Sequence, residues 1–324
     1  MITNQRQPAP AGTVRYPSEE ERVRDERCDA EQSRKFLGVD VEGFNSQILG
    51  SAGLTGADGY YAYHDLVAVA LDCGLQRSVP ELGLRMMMRF ADQSTADMLA
   101  PTSWSFRLSI SEPDATGDET LVVRDPATAH MALIGEGQRA ESNDGWLLPQ
   151  GGVATIEGTL DTRGEAGEIY SPAAAQLYDR ILDAFHSDEV RFQWITPTGR
   201  DAYMKTWVSG RADCVVIAYM ATQTLTNSGL NCRLQRGRVL GLLDAQHVWM
   251  EFFDADGKWK RFDPLLQLHC ERLWGRGDSR GEFFRGGAPN ALPGWSGGAS
   301  MVVRRTRHGQ EDIIPMFSAR RRRT

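Results

Sequence analysis

The stretch "QHVWMEFFDADGKWKRFDP", residues 246–264, constrains the fold more than any other part of this chain. Two runs rich in aromatic residues flank the polar turn Asp254-Ala255-Asp256-Gly257, which marks an antiparallel hairpin. His247 opens the first strand and Asp263-Pro264 closes the second. Loop length decides whether the two share a face. With a two-residue loop at Ala255-Asp256, position 263 opposes 248 and Asp263 faces away from His247. With a three-residue loop ending in a left-handed Gly257, position 263 opposes 249, and Asp263 lies diagonally beside His247. Gly257 favours the second form, because glycine tolerates the positive φ that the bulge requires. Charge pairing does not choose, since Glu251 faces Arg261 in one register and Lys260 in the other. Val248, Met250 and Phe252 line the opposite face and form a wall to lay against a core.

The remaining composition excludes several classes. The chain has 324 residues, of which 41% are hydrophobic and 24% charged, the balance of a soluble globular protein. No apolar run approaches the ~20 residues of a membrane span, and the polar N-terminus does not read as a secretory signal. Cys28, Cys73, Cys214, Cys232 and Cys270 form no CxxC pair, which argues against a disulfide framework or a structural zinc and points to a reducing cytoplasm. No metal or other cofactor is expected, and neither is a membrane partner. A net charge of −7 argues against nucleic acid as a partner. The Arg320–Arg323 run reads as a solvated tail, and the "RGD" at 276–278 as a surface loop.

Along the chain, residues 1–36 are polar and predict disorder or a loosely held helix. Residues 37–165 read as an N-terminal region of mixed helix and strand. Residues 58–74 predict a helix stopped by Gly74, and Ser78 with Glu81 forms a capping box for the next one. Met86, Met87 and Met88 are expected in a core. From 104 to 162 short β-leaning runs alternate with Gly, Asp and Pro. The polar, glycine-rich "DTRGEAGE" suggests a boundary near 165. A catalytic domain then spans 166–310, with a basic tail at 311–324. Ser171 and Pro172 start a helix whose residues 174, 177, 178, 181, 182 and 185 share one face. "VRFQWIT" predicts a strand, and a helix follows from Cys214, capped by Ser209 or Asp213 and stopped by Gly229. The strand after it is expected to break near Gln235-Arg236.

Cys214 carries the chemistry. In the first turn of a helix, unpaired backbone N–H groups and the helix dipole favour an anion, as a thiolate nucleophile requires. A buried structural thiol would occupy the same position, since free cysteine is among the most buried residue types. His247 and Asp263 on adjacent strands supply the base and orienting carboxylate that a cysteine nucleophile needs. Cys214, the Gly229-Leu230 and Arg233 strand, His247-Val248-Trp249-Met250-Glu251, and Trp259 with Phe262-Asp263-Pro264 together resemble the transglutaminase-like superfamily over about residues 190–268.

The resemblance implies an α+β, papain-like core in which a helix bearing the nucleophile packs on an antiparallel sheet. It implies that Cys214 is the nucleophile, His247 the general base and acid, and Asp263 the orienting carboxylate. Family members often add an upstream aromatic or glutamine to the oxyanion hole; Trp207, Tyr203 and Gln193 are candidates here, with Trp249 a further candidate at the substrate site. The reaction implied is acyl transfer through a thioester. The acyl donor would be a peptide, an amide or a carrier-bound thioester, and water or an amine would act as acceptor. A non-catalytic binding module on the same scaffold is the reading from another class.

Overall fold

A computed structural model describes residues 14–22, 26–75, 77–110, 120–124, 129–134, 138–139, 145–147, 155–241, 245–275, 279–295, 302–306, 309–313 and 316–322. The "RGD" tripeptide lies outside the described residues. Helices and mainly antiparallel sheets make an α+β protein. The chain divides into two units, Met1–Arg85 with Asp179–Met220, and Met86–Tyr178 with Ala221–Thr324. A boundary at 165 is therefore replaced by a discontinuous division. Composition marks where a chain is polar, but not which distant segments return to the same core.

In the second unit the hairpin belongs to a five-stranded sheet. Its strands run in the order Arg285–Gly286, Trp259–Phe262, Ala245–Phe253, Cys232–Val239 and Gly294–Trp295. Cys232–Val239 is one continuous strand, without the expected break at Gln235-Arg236, because every residue from Cys232 to Val239 pairs with the Ala245–Phe253 strand. Met250 pairs with Phe262 and Glu251 with Arg261, so the hairpin takes the three-residue register, with Gly257 at φ 76°.

The β-leaning runs at 104–162 form strands that include Thr102–Ser109, Ala129–Ile134 and Thr155–Thr162 in a four-stranded sheet. Trp104, Phe106 and Leu108 from this sheet share one buried cluster with Trp249, Leu292 and Trp295. The alternation of Trp104, Phe106 and Leu108 aims that face inward. The supposed tail completes the same sheet: Met316–Arg321 pairs antiparallel with Thr102–Ser109. Phe317 and Ala319 are buried while Ser318 and Arg320 face outward, a period of two that the arginine run disguises.

The first unit has its own core of Leu37, Phe44, Ile48, Leu66 and Val69. The N-terminal segment, expected to be disordered or a loosely held helix, is helical in part. Glu19–Arg22 and Ala30–Leu37 are helical, the latter opened by a capping box between Asp29 and Gln32. Tyr63–Cys73 is helical and ends at a left-handed Gly74, but Tyr60–Ala62 is a strand paired with Arg27–Asp29. Ser78 Oγ donates to Glu81 at 2.9 Å at the start of Val79–Met87, and of the three methionines only Met88 is fully buried.

Candidate active site

The three-residue register places His247 and Asp263 on one face, and the side chains meet. His247 Nε2 lies 2.7 Å from Asp263 Oδ2, and both residues are 2–3% exposed. A carboxylate on Nε2 fixes the ring's tautomer and orientation, and directs the chemistry of Nδ1. The ring stacks on Trp249 with centroids 5.9 Å apart. The indole N–H donates to Glu251 Oε1 at 3.2 Å, and Glu251 Oε2 accepts from Arg233 Nε at 2.9 Å and Gln235 Nε2 at 3.3 Å. On the other strand the Arg261 guanidinium covers the Trp249 ring at 3.9 Å and donates to Leu292 O at 3.0 Å. Burial lowers the Arg261 pKa, opposed by the charges of Asp263, Glu251 and Glu165. The polar face of this hairpin is thus buried too, contrary to a simple amphipathic strand pair.

That close packing needs glycine at two points. A Cβ on Gly237, opposite His247, would lie 2.3 Å from Pro293 O and 2.4 Å from the Trp249 ring. A Cβ on Gly294 would meet the same ring at 2.8 Å. The opposite face of the hairpin carries Phe252 and Phe262, and Tyr178 from the Pro172–His186 helix packs edge-on against Phe262 at 5.2 Å. Tyr178 Oη also donates to Asp263 O at 3.4 Å. Asp254, at the hairpin turn, accepts from Tyr170 N and Ser171 N, both at 2.7 Å, and so ties the turn to the start of that helix.

His269, on the Pro264–Trp274 helix that begins directly after Asp263, is a further buried histidine near the pair. Burial pushes its pKa down to about 3, helped by the charges of Arg272 and His247, so it stays neutral across the working pH range. Its position six residues after Asp263, on a helix started by Pro264, is the sequence signal for it.

In the other unit, Cys214 is the first residue of the Cys214–Asn227 helix and is half-buried. Asp213, not Ser209, caps it: Oδ1 accepts from Val216 N at 3.0 Å. Ser209 Oγ instead donates to Thr206 O at 2.7 Å. The strand expected at 190–196 shrinks to Arg191–Phe192, which pairs in parallel with Arg211–Ala212 just before the helix. The N-terminal segment braces this approach. Arg15 Nη1 donates to Gly210 O at 2.6 Å, and Arg211 Nη2 donates to Glu21 Oε2 at 2.6 Å within a buried pair.

The Gln193 amide nitrogen donates to Arg15 O at 2.7 Å and to Asp72 Oδ2 at 3.2 Å, which makes it part of the N-terminal brace. Trp249 is buried with its N–H on Glu251. Trp207 packs edge-on against Phe185 at 6.3 Å, and Tyr203 lies 5.6 Å from Tyr219, a residue of the Cys214 helix. Of the other thiols, Cys73 is pushed up to about 11 by burial and Asp72, and Cys232 is raised by burial. Among the described residues no cluster of His, Cys, Asp and Glu is suited to a metal ion.

Residues 162–264 match the family model of the transglutaminase-like superfamily. No curated protein matches the chain in sequence. A solved structure described as a "Putative Cysteine Protease from Cytophaga hutchinsonii" is similar at a TM-score of 0.35 and 11% identity, covering 69% of this chain and 92% of that one.

Proposed function

We propose, from the match of residues 162–264 to the family model of the transglutaminase-like superfamily, that this protein is a cysteine enzyme that performs acyl transfer through a Cys214 thioester. The observation that carries the reading is the buried His247–Asp263 pair at 2.7 Å, with His247 on the Ala245–Phe253 strand and Asp263 directly after Trp259–Phe262, in a chain whose Cys214 begins a helix. In the proposed cycle the Cys214 sulfur attacks a carbonyl carbon while His247 Nδ1 takes the thiol proton. Asp263 stabilises the resulting imidazolium through Nε2. Collapse of the tetrahedral intermediate expels the leaving group, which takes that proton from His247, and leaves a thioester. His247 then removes a proton from water or an amine, which attacks the thioester and regenerates the thiol. Water yields hydrolysis of a peptide or amide, and an amine yields a new amide. A reducing compartment such as the cytoplasm suits a thiol nucleophile.

Intact-mass spectrometry with an activated acyl thioester tests the reading. The wild-type chain should gain one acyl group, Cys214→Ala should gain none, and added amine should compete with water for release. A wild-type chain that gains no acyl group would mark a binding module instead.

A further inference from the structure

The start of the Cys214 helix poses an electrostatic problem. The residue before Cys214 is a carboxylate, Asp213, whose side chain is only 3% exposed. As N-cap it satisfies the Val216 N–H. The same negative charge, one residue from the sulfur and shielded from water, opposes a thiolate and offsets the benefit of the helix's positive end. Arg200 meets that charge. Its Nε and Nη2 each lie 2.7 Å from Asp213 Oδ2, which also accepts from Ile195 N at 3.4 Å. The nearby Arg211 is matched by Glu21.

Arg200 is held in that place. It lies on the short Pro197–Asp201 helix, capped by Thr196 Oγ1, which accepts from Gly199 N at 3.1 Å and donates to Glu21 Oε1 at 3.1 Å. Thr206 Oγ1 donates to Gly199 O at 2.8 Å. A side chain at Gly199 would collide with Glu21 Oε1 at 2.4 Å and Ile195 at 2.7 Å, so this turn is fitted closely against its supports.

We propose that Arg200 is a positioning residue for the acyl-transfer reaction: its guanidinium neutralises and orients the Asp213 cap, so that the Cys214 sulfur meets the positive end of its helix without an opposing charge beside it. The proposal rests on Cys214 being the nucleophile. Arg200 acts through Asp213 and needs no contact with substrate.

The test measures the rate at which iodoacetamide alkylates Cys214 in the full chain at pH 7, read by peptide mass spectrometry, alongside acyl-adduct formation. Arg200→Gln should slow alkylation roughly tenfold, by leaving Asp213 uncompensated beside the sulfur. Arg200→Lys should stay within about threefold of wild type, because it restores the charge. Asp213→Asn should speed alkylation by roughly threefold or more, since asparagine keeps the cap while removing the charge. A role confined to holding the loop would move Arg200→Gln and Asp213→Asn in the same direction, and that result overturns the proposal. An Arg200→Gln rate equal to wild type does the same. Should Arg200→Gln fail to fold, Asp213→Asn decides: alkylation no faster than wild type sinks the idea. Opposed shifts in a chain that forms no acyl adduct would support the electrostatic role and sink the nucleophile assignment. An adduct without opposed shifts would sink the role of Arg200 alone.

Discussion

His247 and Asp263 are brought together by one hairpin, 16 positions apart in the chain. The start of the Cys214 helix is braced by Arg15 on Gly210 and Glu21 on Arg211, 195 and 190 positions apart. The first arrangement follows from a turn and a register, both local properties. The second depends on closing long loops, whose cost is met only once the unit has folded. A local change should therefore alter chemistry in the hairpin and stability in the brace.

The largest effect tests the hairpin side. Asp263→Asn should leave the fold intact while lowering the rate of acyl-adduct formation by about 10³ to 10⁴, because the amide presents the wrong partner to His247 Nε2. Circular dichroism and intact mass measure the two sides of this expectation. A fall of less than tenfold would remove Asp263 from the mechanism.

The brace is tested by stability. Glu21→Gln leaves Arg211 a buried cation without its counter-charge, and should cost about 3–5 kcal/mol in urea unfolding. Burial raises the Glu21 pKa, but hydrogen bonds from Arg211 and Ser18 together with the Arg211 charge outweigh it and leave it below the usual 4.5. A depressed carboxyl stabilises the fold above its unfolded pKa, and that contribution fades as pH falls below about 4.5 and through the folded value. Glu21→Gln should flatten the loss of stability in this window; an unchanged slope would break the contrast between the two regions.

Two smaller effects sharpen the hairpin side. Gly237→Ala drives a methyl into Pro293 O and Trp249, the ring stacked on His247, and should cost about 2–3 kcal/mol. Its effect on adduct formation would report how far Trp249 positions the histidine. Gly257→Ala strains a left-handed turn residue and should cost only about 1 kcal/mol, with the register kept. Denaturant midpoints rank the pair, and a reversed ranking would show that the turn, not the Trp249 packing, dominates the hairpin.

The difference between the regions also explains what was legible. The helix at 172–186, the strands between 102 and 162 and the left-handed Gly74 follow from period and capping. So does the Gly257 register, which made the His247–Asp263 contact predictable. Met316–Arg321 was missed because four arginines at 320–323 outweigh the alternation of Phe317 and Ala319 in any compositional reading. The same holds for residues 14–22. Their polar side chains read as solvated, although Arg15 and Glu21 satisfy partners far along the chain. Gln193, a candidate for the oxyanion hole, donates its amide N–H groups to Arg15 O and Asp72 Oδ2, partners that its sequence neighbours do not reveal.

By itself the sequence determined the strands, the helix that starts at Cys214 and the turn that sets His247 beside Asp263. These follow from backbone sterics and side-chain periods acting over a few residues. Tertiary structure alone decided that the Trp249 ring stacks with His247 and is covered by the Arg261 guanidinium, that Arg200 faces the Asp213 cap, and that an N-terminal segment braces the approach to the cysteine. All but the first join groups on separate elements, and the N-terminal brace joins groups 190 positions apart. The charge and packing that select them exist only once the chain has closed around them.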